Sequence, residues 1–432
     1  MNAIPTSTSQ AATEWPKVPF GEVADSISQT HPMDKERLVF LNTSDVYKGR
    51  ILHNDYSLVK DWPGQAKKSI RCNDILFSEI RPANGRYAFV DVDADDYVVS
   101  TKLMVIRARD PGLARFLYHF LTSDATTSWL QHLAESRSGT FPQITFDQVA
   151  QLQVPLPPSP EVRQAIVAII DSLDHKIEQN RRTTQAVERL ARAIFRAWFV
   201  DFEPAKAKAA GATAFPSMPQ NTFDALPIRF VDSELGPIPE DWEAGALSDI
   251  ASPRRDGVQP GDIDSMTPYI GLEHMPRRCI ALYDWEHAGK VTSGKARFSA
   301  GEILFGKLRP YFHKVGVAPI DGVCSTDIVV ITPKTPAWFG LALGHVSSDE
   351  FVAYTSACST GTKMPRTNWG DMARYAIAIP PESVATAFAN IVAPMIGAIV
   401  NGIFESRKLA AMRELLLPPL LSGQVRVETR HD

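Results

Sequence analysis

The stretch GEILFGKLRP at residues 301–310 has a second version, NDILFSEIRP, at residues 73–82. Both place an acidic residue before Ile-Leu-Phe, then a small residue, a charged one, an aliphatic one and Arg-Pro. Similarity over ten such positions marks a duplicated structural unit. Working outward, the flanks repeat in the same order. Trp15 and FGEVAD (20–25) answer to Trp242 and GALSDI (245–250). VFLN (39–42) answers to YIGL (269–272), and VSTK (99–102) to CSTD (324–327). SGTFPQ (138–143) answers to TGTKMPR (360–366), which is one residue longer, and VPLPP (154–158) to IAIPP (377–381). After the last of these, each copy enters a long helical pattern.

Each copy reads as a mixed unit of about 150 residues, a common domain size. Segments 39–42, 74–80, 87–92 and 103–108 are short, β-branched or aromatic, and bounded by Gly, Pro, Asn or Asp, which predicts strands. Apolar spacing predicts helices over 114–122 and 125–134.

Ser159 is placed to cap a long helix with Pro160 at its first position, where a missing amide proton costs nothing. Apolar residues recur at Val162, Ile166, Ile169, Leu173, Ile177, Val187, Leu190, Ile194 and Trp198, interrupted by Asn180 and Thr184. This is a coiled-coil type of stripe on a helix of roughly 60–65 Å. A second stripe comprises Val384, Phe388, Ile391, Met395, Ile399, Ile403, Leu409, Met412 and Leu416. The two stripes are expected to pack antiparallel. Pro394 predicts a kink or a restart, because an interior proline removes a backbone bond and clashes one turn back.

The fold class is therefore α+β: two similar recognition modules separated by a pair of long antiparallel helices, with a pseudo-two-fold internal repeat. The expected divisions are a mobile tail over 1–14, a first module over 15–158, a central helix over 159–202 and a linker over 203–232. A second module over 233–381, a C-terminal helix over 382–423 and a tail over 424–432 complete the chain. The Ala, Pro and Gly content of the linker reads as a mobile surface connection.

Composition narrows the function classes. A hydrophobic content of 44% suits a chain that buries real cores. No stretch is read as approaching the ~18–20 uncharged apolar residues of a membrane helix, so no membrane partner is expected. The first residues lack the basic and apolar runs of a secretory signal. The 4 cysteines, Cys72, Cys279, Cys324 and Cys358, are scattered and form no C-x-x-C pair. That pattern argues against zinc and disulfides and suits the cytoplasm. A net charge of −4 counts against a protein that grips DNA alone by bulk electrostatics. Positive charge must be local, or a partner must supply the rest.

With the repeats, helices and their terminal motifs in place, the chain resembles the specificity (S) subunit of type I restriction–modification systems. The resemblance lies in the paired ILF…RP segments, the turn GTKMP (361–365) and AIFRAWFVDF (193–202) at the end of the central helix. It extends to SELGPIPEDW (233–242) opening the second module and LLLPPLLSG (415–423) ending the second helix. It runs from Trp15 to about Val427. Pro394 and the weakly amphipathic region around Gly402 depart from a straight second helix. The resemblance implies two target recognition domains that read the halves of a split, asymmetric DNA site with an unread spacer. It implies helices that dock two methyltransferase (M) subunits, restriction (R) subunits that join them, and no catalysis and no cofactor in this chain. On duplex DNA, two modules related by a pseudo-dyad would make contacts about one helical turn (~34 Å) apart.

Motifs that are missing agree. There is no G-x-x-x-x-G-K-[ST] phosphate loop, no glycine-rich cofactor loop after a strand and no H-x-x-x-H pair. Asp93, Asp95 and Asp96 read as a solvated turn rather than a metal site. Glu302 and Lys307 have the residue types of a nuclease, but nothing completes the constellation.

Candidate DNA contacts are Arg81 and Arg309, each followed by proline, and Arg86, His313 and Lys314 in the loops beyond. Arg137, Thr140 and Gln143 belong to the first Gly-Thr turn, and Thr362, Lys363 and Arg366 to the second. Arginine suits guanine or phosphate, and glycine lets the backbone approach closely. A structural ion pair is the alternative for Arg81 and Arg309. Lys67, Lys68 and Arg71 form a basic run suited to phosphate or to solvent. Arg181, Arg182, Arg189, Arg192 and Arg196 line the central helix as candidate docking residues, or as a solvated face. Two other functions remain in view, a self-contained DNA-processing nuclease and a protein-binding scaffold.

Overall fold

The computed structural model of the chain describes residues 15–137, 141–361, 363–425 and 427. The expected tail at 1–14 and most of that at 424–432 fall outside them. The chain forms two compact units, Met1–His175 with Leu409–Asp432, and Lys176–Lys408. The division runs across both long helices.

In the first unit the larger sheets are built from β1 (Ala24–Ile27), β2 (Arg37–Leu41), β3 (Tyr56–Leu58), β4 (Ala66–Ser69), β5 (Ile75–Ser78), β6 (Tyr87–Phe89), β7 (Tyr97–Ser100) and β8 (Leu103–Ala108). They form two four-stranded sheets, ordered β1-β8-β5-β6 and β3-β2-β7-β4. The first is antiparallel throughout. In the second, β7 runs parallel to β2. Helices α1 (Ala114–Thr122) and α2 (Asp124–Arg137) follow, and then α3 (Pro160–Phe199).

The ILF motif is the centre of this arrangement. Side chains alternate across a strand, so Ile75 and Phe77 point to the helical side while Leu76 points to the other face. Ile75 and Phe77 pack with Phe116 and Leu117 of α1. Leu76 packs with Val39 and Leu41 of β2 and Val99 of β7. The strand is buried on both faces, which explains its unbroken apolar run.

In the second unit, α3 is followed by α4 (Glu203–Ala209) and α5 (Gln220–Ala225). These lie where a mobile linker was expected. Phe223 and Leu226 are buried in the unit's core, and Lys208 donates to the carbonyls of Asp224 and Leu226. Alanine-rich composition signalled a loose connection, but two apolar side chains with a core to enter order the segment. Strands β9 (Ala251–Pro253), β10 (Gly257–Val258), β11 (Pro268–Ile270), β12 (Glu286–His287), β13 (Lys295–Phe298), β14 (Ile303–Gly306), β15 (Val315–Val317), β16 (Gly322–Ser325) and β17 (Ile328–Pro333) follow. They form sheets β9-β17-β14-β15 and β10-β13-β16-β11-β12. The first unit's order is repeated, with β10 added at one edge. The parallel pair recurs as β11 with β16. Ile303 faces Ile331 as Ile75 faces Ile106, and Leu304 faces Val330 as Leu76 faces Val105. Helices α6 (Phe339–Val346), α7 (Asp349–Ala357) and α8 (Glu382–Ser422) complete the chain.

Helices α3 and α8 run antiparallel in each unit. In the first, Ile166 and Ile170 share a core with Leu417, Leu420 and Leu421, and Arg413 pairs with Asp174 at 2.7 Å. In the second, Asn180 donates to Glu405 at 2.8 Å, and Phe388 packs against Trp198 and Phe199. At the N-terminus of α3, the Ser159 hydroxyl accepts from Val162 N.

Three details differ from expectation. First, Asn180 and Thr184 are buried while Leu190 is 52% exposed, so the inner line of α3 continues through Glu188 and Ala191. Glu188 is turned inward because its carboxylate accepts the Ile280 amide at 3.0 Å. Second, α8 runs through Pro394 without restarting. Pro394 is exposed, so its ring and the carbonyl it leaves free meet water; Val392 and Ile396 are buried, and Ile391 and Met395 pack partly buried against the same core. Met412 is likewise exposed. Third, residues 383–404 are 22 in a row without Asp, Glu, Lys or Arg, contrary to the reading that no such stretch exists. By length and composition α8 can cross a membrane. Its Val384, Phe388, Val392, Ile399 and Ile403 are instead buried in the core of the second unit.

Candidate nucleic-acid interface

The sheets bring two separate sequence motifs together, and they do so twice. Arg81 and Arg309 end the β5 and β14 segments in the left-handed region, at φ +46° and +51°. Each opens a single turn of 3-10 helix led by its proline, Pro82–Asn84 and Pro310–Phe312. Such a backbone is strained for a residue with a side chain, so something must hold it. The segment that follows each Gly-Thr pair does. Arg81 N donates to the Pro142 carbonyl at 3.2 Å, and Arg309 N donates to the Pro365 carbonyl at 2.7 Å. One residue earlier, Ile80 bridges to Gln143 and Leu308 to Arg366, both antiparallel. In each unit the Arg-Pro turn and the segment after the Gly-Thr pair, residues 141–143 or 363–366, therefore form one composite surface.

The side chains on that surface differ. Arg81 is exposed. Arg309 is half-buried; its Nη2 donates to the Lys363 carbonyl at 3.1 Å, while Nε is buried without a partner. Lys363 is exposed. Arg366 is exposed and pairs with Asp327 at 3.0 Å. Arg137 ends α2, but its side chain, like Thr140 and Thr362, lies outside the described residues.

Three other candidates belong to the scaffold. Arg86 donates to the carbonyls of Ser44 and Val46 and stacks over Tyr47 at 5.4 Å. Lys314 donates to the Leu272 carbonyl, and burial pulls its pKa down. His313 is corrected most clearly: it is 3% exposed, with Nε2 at 3.0 Å from the Ser347 carbonyl and Nδ1 facing Asp349. Burial lowers its pKa, so the neutral ring donates from Nε2. Its position beside a basic loop suggested contact with DNA. The ring is buried instead, on a residue whose backbone lies in the left-handed region at φ 51°.

The acidic residue ahead of ILF in each repeat also has a structural task. Asp74 is fully buried and accepts a two-pronged pair from Arg107 at 2.7 and 2.8 Å, plus the Arg71 amide. Glu302 accepts from Arg254, the Ser299 amide and Thr332. Thr332 occupies on β17 the place of Arg107 on β8, so Arg254 supplies the cation from another strand end. Glu302 is thereby engaged in the scaffold, and the nuclease reading loses its carboxylate.

The remaining basic and acidic groups sort similarly. Lys68 donates to the Leu103 carbonyl and is half-buried, while Lys67 and Arg71 are exposed. Asp96 holds Lys35 and the Tyr56 hydroxyl. On α3, Arg181 pairs with Glu178, and Arg192 with Glu188 and the Arg278 carbonyl. Arg182, Arg189 and Arg196 remain exposed; Arg182 shares Glu178, and Arg196 pairs with Asp201 and Glu350. His119, Asp171 and Asp174 have the spacing of a metal-ligand set among the described residues. Arg115 and Arg413 sit on the two carboxylates at 2.9 and 2.7 Å. Burial alone would raise the pKa of Asp171, but His119 and Arg115 bring it below its ordinary value. The cluster thus works as an ion-pair tie between α1, α3 and α8. The four cysteines are free thiols.

Sequence reasoning overlooked two residues on the composite surface. Phe141 is 53% exposed and Met364 49% exposed, and they hold equivalent places before Pro142 and Pro365. The signal was present in the repeat alignment, as a large apolar residue in a turn.

Comparison with known proteins follows the same lines. The family described as the type I restriction modification DNA specificity domain matches residues 13–189. The type I restriction enzyme HindI specificity subunit of Haemophilus influenzae is 31% identical, over 96% of this chain and 100% of its own. The MjaIX specificity subunit of Methanocaldococcus jannaschii is 24% identical, over 74% of this chain and 71% of its own. Among solved structures, the S subunit of a type I restriction–modification system from M. genitalium aligns over 99% of this chain and 100% of its own. Its TM-score is 0.53 at 12% identity, a likeness of fold.

Proposed function

The chain belongs to the specificity subunits of type I restriction enzymes, and we propose that each unit reads one half of a split DNA site through its composite surface. One observation carries this reading. Arg81 N bonds to the Pro142 carbonyl and Arg309 N to the Pro365 carbonyl, the same backbone bond in both units, although the partners are far apart in sequence. A scaffold has no need to build that surface twice, whereas two half-sites do. The units differ in the side chains they display there, so the half-sites differ too.

Arg81, Arg309, Lys363 and Arg366 are the foremost contact residues in this reading, with Gln143 beside them. Arginine and lysine meet phosphate or guanine, and glutamine meets adenine. The chain is a specificity subunit without catalysis of its own. In this reading its α3 and α8 set the spacing between half-sites, and the exposed Arg182, Arg189 and Arg196 face methyltransferase subunits, with restriction subunits joining the assembly. Such partners offset the net charge of −4 by adding phosphate contacts around the duplex. The complex works on DNA in the cytoplasm.

The test is to express the chain with its methyltransferase subunit in cells and map methylated adenines across the genome. The reading expects one bipartite motif with two unlike halves and a fixed unread spacer. A continuous motif, or no motif dependent on this chain, overturns it.

A further inference from the structure

A further loop abuts the Arg-Pro turn in each unit. Lys48 N donates to the Gly85 carbonyl at 2.7 Å, and Arg278 N donates to the His313 carbonyl at 2.8 Å. Gly85 and His313 each close the 3-10 turn that Arg81 and Arg309 open. Lys48 and Arg278 lie at φ +42° and +55°, the left-handed region in which a residue with a side chain must be held. The two loops are therefore counterparts, fastened to the far end of the same turn. In the first unit the loop is a hairpin that pairs Val46–Tyr47 with Arg50–Ile51. In the second, Glu188 of α3 accepts the Ile280 amide at 3.0 Å, and Arg192 donates to the Arg278 carbonyl at 3.3 Å.

Each loop displays an exposed cation over an aromatic ring. In the second unit the Arg277 guanidinium is 4.0 Å from the centroid of Phe312, and that of Arg309 is 5.9 Å from the same ring. In the first, Lys48 Nζ is 5.6 Å from the Tyr47 centroid, and the Lys48 stem lies against Gly85. A ring face holds a cation through its quadrupole and leaves the N–H donors free for another acceptor. Arg278 is neutralised by Asp349 at 2.6 Å, and Arg366 by Asp327 at 3.0 Å. Arg277, Arg309 and Lys48 have no carboxylate within 4.0 Å among the described residues. Burial, and then the charge of Arg277, lower the pKa of Lys314, with Glu273 offsetting part of the effect.

Unpaired cations held by ring and backbone fit an anion that arrives from outside. A guanidinium fork and an ammonium both suit phosphate, and such contacts fix register without reading a base. We propose that these loops are a second DNA-contact element: Arg277 in the second unit and Lys48 in the first each engage a backbone phosphate of the half-site their unit reads. This rests on the reading of the chain as a DNA reader. In a chain whose net charge is −4, charge left unneutralised at these two corners makes the positive potential local.

The experiment uses the chain assembled with its methyltransferase subunits, a duplex carrying the mapped site and an unrelated duplex. A further set of mapped duplexes replaces one phosphate at a time by neutral methylphosphonate. Arg277→Ala and Lys48→Ala should each bind both duplexes about fivefold more weakly at ~0.15 M salt, the gain from releasing one counterion. Each should lower the slope of log affinity against log salt by about 1, and Arg277→Lys should retain the wild-type slope. Methylphosphonate should weaken the wild type at one linkage that no longer matters to Arg277→Ala, and at another that no longer matters to Lys48→Ala. Melting temperatures and co-elution with the methyltransferase subunits should not change. A loss confined to the mapped duplex identifies a base contact and overturns the proposal. So does unchanged binding, and so do variants that respond to every methylphosphonate as the wild type does. A variant that no longer co-elutes also overturns it, by placing the cation against a protein partner. If the wild-type assembly does not prefer the mapped duplex, the reading of split sites falls by itself, and the losses on the two duplexes still decide the proposal.

Discussion

At the scale of single residues, the acidic group ahead of each ILF motif decides whether its strand end is quiet or costly. Asp74 has no exposed surface, and its partner Arg107 is partly open to solvent. Removing the carboxylate leaves a half-buried cation and an unpaired Arg71 amide. Asp74→Ala should therefore destabilise the chain by about 3 kcal/mol, the low end for a broken buried pair because Arg107 can still reach water. Urea unfolding of the two proteins measures it, and a change within the error of a surface substitution contradicts the account. His345 supplies a pH-dependent case. It is buried against Phe195, with ring centroids 4.9 Å apart, and burial pulls its pKa down to about 3. The unfolded value is near 6.5, so between the two values the unfolded chain binds the extra proton. Stability is then lost as pH falls from about 6.5 toward 3, by up to about 1.4 kcal/mol per pH unit. Between pH 7 and pH 5, the wild type should lose about 2 kcal/mol more than His345→Leu, because carboxylate contributions are common to both. Parallel urea curves at the two pH values would contradict it.

At the scale of elements, β5 and β14 explain why the repeat was legible. A strand buried on both faces tolerates only apolar residues of suitable size, so the same three letters recur in both copies. The strand segments at 103–108 and the helix at 114–122 were read at their true bounds for a similar reason: their apolar spacing is set by one core. The inner faces of α3 and α8 were less legible. Asn180 and Thr184 look like interruptions in a stripe until Glu405 is placed opposite Asn180, and Glu188 joins the inner line because it meets the Ile280 amide. Pro394 shows the same limit. Its effect depends on which face of the helix it occupies, and it occupies the wet one. Pro394→Ala should restore a backbone bond without filling any buried space, and stabilise the chain by about 2 kcal/mol. A higher denaturation midpoint at an unchanged slope is the expected result, and a lower midpoint would show that the proline is needed for packing.

For the whole molecule, the weak net charge makes local cations and partners decisive. If Lys363 contacts phosphate, Lys363→Ala should weaken binding by the assembled complex to target and unrelated duplexes alike. It should also reduce the slope of log affinity against log salt by about 1. Titrations at several salt concentrations test this; a loss confined to the target would make Lys363 a base contact instead. The linker teaches the complementary lesson about composition. Residues 203–232 are rich in alanine and proline, yet Phe223 and Leu226 find a core and order the segment. Tertiary opportunity outweighs local propensity there.

Duplication, the mixed α+β class of each unit, the two long helices and the absence of known catalytic motifs were all determined by the amino-acid sequence alone. Each depends on periodicity or motif order, which are properties of the chain read along its length. Only the tertiary structure decided which charged residues face outward. Arg81 and Lys363 remain exposed, whereas His313, Lys314 and Arg86 are spent on carbonyl groups of the scaffold. It also decided that each Arg-Pro turn and the segment after the matching Gly-Thr pair form one surface. The reason is physical: whether a side chain is a contact or a brace depends on the groups packed beside it, and those come from parts of the chain that sequence order keeps apart.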